Sequence, residues 1–321
     1  VIQIFFKRVI INMNKLSKFF ISACLLFLFS LALLPECAYS YSNKKISNNS
    51  NTVHLVIDNL RINELPSHFR KTSDLSILDE KNINTYSLDT LNISGSQQFS
   101  RNNIRLIINN INTNFPFIVI DLREESHGFV NDIPVSYENN HNNANMGLSR
   151  NKVLLKEKDD LSKIKLNSEL NFYNHKDSII PKYVGNESKT CLDNSLGYLR
   201  ITATDEIPPS PENIDFFINS VNKLPKDKWL HFHCKEGIGR TSTFMIFYDM
   251  MNNYDKVGSE DIINRQIELV SDYTEKDIKD ITSKRRITLY NLFYEYCTKY
   301  GKDFNVSFSE YLKMSNLSYE S

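Results

Sequence analysis

His231-Phe232-His233-Cys234-Lys235-Glu236-Gly237-Ile238-Gly239-Arg240-Thr241-Ser242-Thr243-Phe244 sets a cysteine six positions before an arginine, with two glycines between them and a hydroxyl residue after. An apolar extended run from Trp229 to His233 leads in, and a helical pattern from Thr241 to about Met251 leads out. Cysteine and arginine at this spacing are weak evidence alone; the frame of strand, glycines and helix makes them specific. Glycines let the backbone curl until successive N–H groups point inward, and the helix N-terminus adds its dipole, so the loop reads as an anion nest. A lone cysteine is usually a small buried hydrophobe, but one at the centre of such a positive field is favoured as a thiolate nucleophile. Arg240 supplies a planar fork that matches two phosphoryl oxygens. The Thr241 hydroxyl can donate to the sulfur, and His233 is expected to order the loop rather than touch substrate.

Upstream lie two more predicted strands, Phe117 to Asp121 and Tyr198 to Thr204, each short, apolar or alternating, and bounded by turn residues. Between the second of these and Trp229, Ser210-Pro211-Glu212-Asn213 precedes Ile214, Phe217, Ile218, Val221 and Leu224. Serine at the N-cap, proline at the first helical position and an apolar stripe at helical spacing predict a helix ending by Pro225. Strand, helix, strand implies a crossover with both strands parallel, and ligands of open α/β sheets bind beyond their C-terminal ends. Asp205 and Cys234, each just past one of these strands, are therefore expected to meet. Asp205 can then protonate a departing oxygen and later accept a proton from water, which predicts an optimum of about pH 4 to 6. His231, His233 and Cys234 could suggest a metal cluster, yet no second ligand cluster with zinc spacing accompanies them, so no metal and no cofactor are expected.

The chain has 321 residues, 38 of them basic and 38 acidic, and 41% are hydrophobic. That balance excludes a strongly basic nucleic-acid protein or an acidic disordered chain, and the apolar content suffices for a sizeable core. From Met13, read as the start, a short basic region with Lys15 and Lys18 is followed by an apolar run from Phe19 to Leu34, then Ala38-Tyr39-Ser40. Residues 1–40 thus read as upstream sequence and a cleaved signal peptide, since an apolar run of about sixteen residues is short for a membrane anchor. The export this implies is periplasmic or extracellular, with no membrane attachment of the mature form. Without residues 1–40 the chain keeps 34 basic and 37 acidic residues, a mildly acidic protein. Residues 41–53 lack apolar periodicity, and the leader is placed at 41–60. Of five scattered cysteines, Cys191 and Cys297 could pair or stay buried.

HCKEGIGRTSTF, with ATDEIPPSPENIDFF from Ala203, resembles the protein-tyrosine-phosphatase superfamily and specifically its phytase-like branch, which removes phosphates from inositol hexakisphosphate. LPSHFRKTSD from Leu65, SGSQQFS from Ser94, DLREESHGFVNDIPVS from Asp121 and NLFYEY from Asn291 are similar to the same family, so the resemblance runs from about residue 60 to 315. It implies an α/β fold: a phosphatase core (61–128 and 191–321) with a central mixed, partly parallel sheet flanked by helices, and a small partial β-barrel at 129–190. It also implies a phosphoric monoester hydrolase working through a phosphocysteine. Cys234 would be the nucleophile, Arg240 the phosphate clamp and Asp205 the general acid, with Lys235, Glu236, Gly237, Ile238 and Gly239 lining the loop. Arg70, Lys279 and Lys176 would be basic contacts for neighbouring phosphates, although any of them could be a solvated charge. Asp121, Arg123, Glu124 and Glu125 are expected to hold a loop beside the pocket. The chain departs from the family at Glu206, where relatives commonly carry His, at Glu236 inside the loop, and at Asn142 and Asn143, where an acidic residue and Trp are usual. The partner implied is an inositol polyphosphate substrate, with no nucleic acid; the alternative is a protein-tyrosine or phosphoinositide phosphatase acting as a secreted effector.

Overall fold

The computed structural model describes residues 52–79 and 81–319. The predicted signal segment and the first part of the leader lie outside these residues. Among the described residues no helix is long and apolar enough to cross a membrane.

The larger sheet contains β2 (Arg70–Lys71), β3 (Ile93–Ser96), β4 (Phe117–Asp121), β10 (Gly197–Arg200) and β11 (Trp229–His233), in the order β10-β4-β11-β3-β2. β10, β4, β11 and β3 run parallel, and β2 joins antiparallel at one edge. The sheet is thus mixed and mostly parallel, as expected. β4 and β11 coincide with the predicted strands, whereas β10 ends at Arg200, so Ile201–Thr204 continue as irregular backbone. The β10 and β11 strands are parallel but not adjacent: β4 lies between them.

β11 is buried along its whole length, which suits a central strand of a two-faced sheet. Its alternation sorts the side chains. Leu230 and Phe232 enter one core with the helices α5 (Pro211–Val221), α6 (Gly239–Asn253), α7 (Ser259–Glu268) and α9 (Lys284–Tyr300). Trp229 joins the opposite core, where α2 (Asn103–Ile111) contributes Ile104, Ile107 and Ile111. α5 begins as its sequence predicts, with Ser210 Oγ accepting from Asn213 N at 3.3 Å. α6 is buried on nearly every side, so it is a central element rather than an amphipathic surface helix. Three shorter helices complete this part, α1 (Ser76–Asp79), α8 (Glu275–Ile281) and α10 (Phe308–Ser315).

The smaller sheet is antiparallel, in the order β1-β6-β5-β9, from β1 (His54–Ile57), β5 (His127–Val130), β6 (Ile133–Glu138) and β9 (Val184–Gly185). A hairpin, β7 (Leu170–Phe172) with β8 (His175–Ile179), attaches through Tyr173 N to Leu55 O at 2.9 Å and through Asn174 to Ile57. The helices α3 (Arg150–Ser162) and α4 (Glu187–Asp193) accompany it. His54–Ile57, assigned to the leader on composition, is therefore a paired strand. Four residues are too few for alternation to show, and the pairing partner, residues 135–138, lies far along the chain. Cys191 and Cys297 are free and buried in different cores, so they do not pair.

Candidate active site

The C-terminal end of β11 delivers Cys234 into the turn before α6. Its sulfur is 3% exposed as a residue and accepts from Gly237 N at 3.2 Å and from Thr241 Oγ1 at 3.1 Å. Gly237 adopts φ +77°, and a Cβ there would lie 2.5 Å from Ser96 C and 2.8 Å from Ser96 O. Only glycine allows the loop to curl this closely against the end of β3. At Gly239 a Cβ would meet Arg286 Nη2 at 2.7 Å and Asp280 Oδ2 at 2.8 Å, so the loop passes directly against α8 and α9.

Arg240, 1% exposed, divides its guanidinium between two carboxylates. Nη1 and Nη2 donate to Glu125 at 2.7 and 3.1 Å, Nη1 reaches Ala203 O at 3.2 Å, and Nη2 lies 3.0 Å from Asp205 Oδ2. Asp205 also accepts from Asn142 Nδ2 at 2.8 Å and, on its other oxygen, from Glu206 N at 3.0 Å. Glu206 reaches that N–H contact through a left-handed backbone, φ 61°, and its exposed carboxylate lies 3.4 Å from His141 Nδ1. The expected meeting of the strand ends is thus made, with Arg240 as the bridge. Asn142, singled out in the sequence as a departure, is one of the residues that touch Asp205.

Around this centre is a buried polar network. Glu125 also accepts from Arg123 Nε at 2.7 Å, and Arg123 Nη1 donates to Asp58 at 2.7 Å. His233 Nε2 lies 2.7 Å from Glu187 Oε1. His231 is flanked by the Ser94 and Ser96 hydroxyls at 2.9 and 3.2 Å; burial, with His233 and Arg70 nearby, holds its pKa well below the usual imidazole value. Asp121, His127 and Glu187 bring ligand-type atoms within 4.8 Å of one another, a trio with metal-compatible donors that sequence reading did not find. Burial disfavours a charged His127, but Asp121 and Glu157 outweigh it together and raise its pKa to about 10. Arg200 Nε stands 3.4 Å from Asp121. An imidazolium and a guanidinium therefore already balance these carboxylates, and the trio fits a buried ion network better than a metal cage. Glu124 is the exception to this pairing: burial first, then Glu125, push its pKa up to about 7, and its Oε2 has no hydrogen-bond partner.

The remote cations are disposed differently from one another. Arg70, expected to reach a neighbouring phosphate, is 2% exposed and donates to Gly237 O at 2.7 Å, His68 O at 2.9 Å and Ser242 Oγ at 3.1 Å. It props the loop from behind, joined there by Tyr273 Oη, which donates to Gly237 O at 3.0 Å. The register of β2 against β3 explains this placement, because it sets Arg70 opposite Gly95, where the absent side chain leaves room for the guanidinium. Lys235 is ion-paired with Glu138, at the end of β6, and Glu236 Oε2 accepts from Gln97 Nε2 at 3.2 Å. Both loop side chains are thus held by the surrounding protein. Lys279 is exposed on α8, beside Asp280. Lys176 is exposed on the hairpin that attaches to β1. Glu138, Glu187, Tyr273 and Arg286 carried no local signal as site residues; each lies far in sequence from the group it meets.

A cysteine and an arginine in one loop, at the C-terminal edge of a mostly parallel sheet, are the arrangement of the protein-tyrosine-phosphatase fold. The family described as PTP-like phytase, inositol hexakisphosphate, matches residues 120–252. The effector protein hopD2 of Pseudomonas syringae pv. tomato is 31% identical over 232 residues, 68% of this chain and 49% of that protein. A PTP-like phytase from Bdellovibrio bacteriovorus superposes with a TM-score of 0.69 at 29% identity, covering 85% of this chain and 98% of that one. The PTP-like myo-inositol phosphatase from Mitsuokella multacida, solved with myo-inositol-(1,3,4,5)-tetrakisphosphate, gives 0.73 at 27% identity over 84% of this chain and 49% of its own. Residues 120–252 thus belong to the PTP-like phytase family, and the likeness in fold extends over 84–85% of the chain. The chain spans about half the length of hopD2 and of the Mitsuokella chain.

Proposed function

We propose that the protein is a metal-independent cysteine phosphatase of inositol polyphosphates. The observation that carries this reading is that the Cys234 sulfur accepts from the Gly237 N–H and the Thr241 hydroxyl and acts electrostatically on Arg240, whose guanidinium lies 3.0 Å from Asp205. Sγ of Cys234 attacks phosphorus, the bond to the ester oxygen breaks, and Asp205 delivers its proton to that departing oxygen. Arg240 and the loop amides follow the negative charge as it spreads over the phosphoryl oxygens. Asp205, now a base, takes a proton from water as that water attacks the phosphocysteine, and the sulfur leaves as a thiolate stabilised by Thr241. Family membership and the inositol tetrakisphosphate held by the Mitsuokella relative support the substrate class.

A second reading, a protein-tyrosine or phosphoinositide phosphatase, is favoured by one observation: Arg70 and Lys235 are both engaged by the protein, and Glu206 adds negative charge beside the acid. Export rests on the pattern of residues 13–40 and on the effector name of the Pseudomonas relative. The test is phosphate release by the purified protein, in chelator, from inositol hexakisphosphate beside a phosphotyrosine peptide. Release from the inositol ester that survives chelation and disappears in Cys234→Ser is the expected result. Comparable rates on the peptide would favour the second reading, and full activity in the variant would sink the nucleophile assignment.

A further inference from the structure

The loop lysine is neutralised by a group outside the loop. Lys235, immediately after the cysteine, forms its ion pair with Glu138, the last residue of β6, whose neighbour across the strand pair is His54. The two side chains are 15% and 23% exposed, so the pair is largely shielded from water and held more firmly than a surface contact. A second carboxylate, Asp58, acts on Lys235 electrostatically, but it is itself committed to Arg123 at 2.7 Å and Ser136 Oγ at 2.6 Å. Glu138 is therefore the carboxylate that directly holds Lys235 toward the small sheet. The other cation beside the loop, Arg70, faces backwards into Gly237 O and Ser242.

The reacting phosphate is provided for without either of these cations, by the Arg240 fork and the loop amides. A substrate with further phosphates gains from Lys235 only if one of them displaces Glu138. We infer that Glu138 is a specificity-determining residue, withholding Lys235 from a second phosphate and biasing the pocket toward ligands with fewer phosphates. This inference rests on the phosphatase reading above and narrows its substrate class from inositol polyphosphates in general to their less phosphorylated members. The chain's own charges set that preference: a carboxylate of the small sheet competes with the substrate's phosphates for a single lysine.

The test uses binding, which separates it from turnover. In the Cys234→Ser protein, the affinities of inositol hexakisphosphate and inorganic phosphate are measured by calorimetry, alone and with Glu138→Gln, Lys235→Gln or both. Glu138→Gln is expected to improve the hexakisphosphate affinity relative to phosphate by about tenfold, the scale of one freed charge-assisted contact. That gain should vanish in the Lys235→Gln background. An unchanged ratio, a gain that persists without Lys235, or no binding of either ligand would overturn the inference. A merely structural role for Glu138 would weaken both ligands together. Failure of the active enzyme to release phosphate from inositol esters would sink the proposed function while leaving this ratio readable.

Discussion

At the level of single residues, the arginine is as informative as the cysteine. Arg240 is almost wholly buried, and its guanidinium is oriented by Glu125 through two hydrogen bonds while the same carboxylate also accepts from Arg123. Glu125→Gln would remove the carboxylate that the two buried guanidinium groups share, leaving Arg123 with Asp58 and Arg240 with Asp205. Removing one partner of a buried, hydrogen-bonded charge pair costs about 3–5 kcal/mol. Part of that loss should appear as a lower melting temperature and part as a misplaced fork, lowering kcat on the order of 10²-fold. Steady-state kinetics and thermal denaturation of the same preparation separate the two. A lower melting temperature with unchanged kcat would make Glu125 a scaffold residue and nothing more.

Among the elements, the decisive one is the turn joining β11 to α6. Gly237 is there because its backbone is left-handed and its Cα passes against Ser96 and Gln97, two contacts that no other residue type satisfies. Gly237→Ala should cost about 1–3 kcal/mol in stability through strain at positive φ. It should also pull the Gly237 N–H off the Cys234 sulfur, so that kcat falls even at temperatures where the variant is fully folded. Wild-type turnover in a folded variant would show that this amide is dispensable. The turn was legible in the amino-acid sequence because everything that makes it lies within fourteen consecutive residues, and Ser210-Pro211 marked α5 for the same reason. β1 was not legible, and neither were the engagements of Arg70 with Gly237, Lys235 with Glu138 and Arg240 with Glu125. Those contacts join positions 167, 97 and 115 residues apart, and a side chain's local pattern is the same whichever distant partner it meets. Cations can thus acquire distant protein partners without altering any motif.

Across the whole molecule, the buried charges make stability depend on pH in a defined direction. Glu124, raised to about 7 by burial and by Glu125, keeps its proton in the folded state over a range in which the unfolded chain, at 4.5, has lost it. Folding therefore loses stability as pH rises from about 4.5 to 7 on this account. Burial opposes charge on His127, but Asp121 and Glu157 bring it to about 10, above its ordinary 6.5. Its contribution is complete below 6.5 and is lost as pH climbs toward 10. Glu187 runs the other way: burial opposes ionisation, but His233 leads the groups that lower it to about 2. Its contribution is complete above 4.5 and is lost as pH falls toward 2. Glu187 loses its contribution below pH 4.5 and Glu124 opposes folding above it, so the three effects leave a stability maximum near pH 4.5. Thermal denaturation from pH 3 to 9 measures this directly. Glu124→Gln should flatten the decline between about pH 4.5 and 7, by on the order of 1–3 kcal/mol, without moving the acid limb. A maximum above pH 8, or an unchanged slope in the variant, would show that Glu124 is not the group whose ionisation opposes folding.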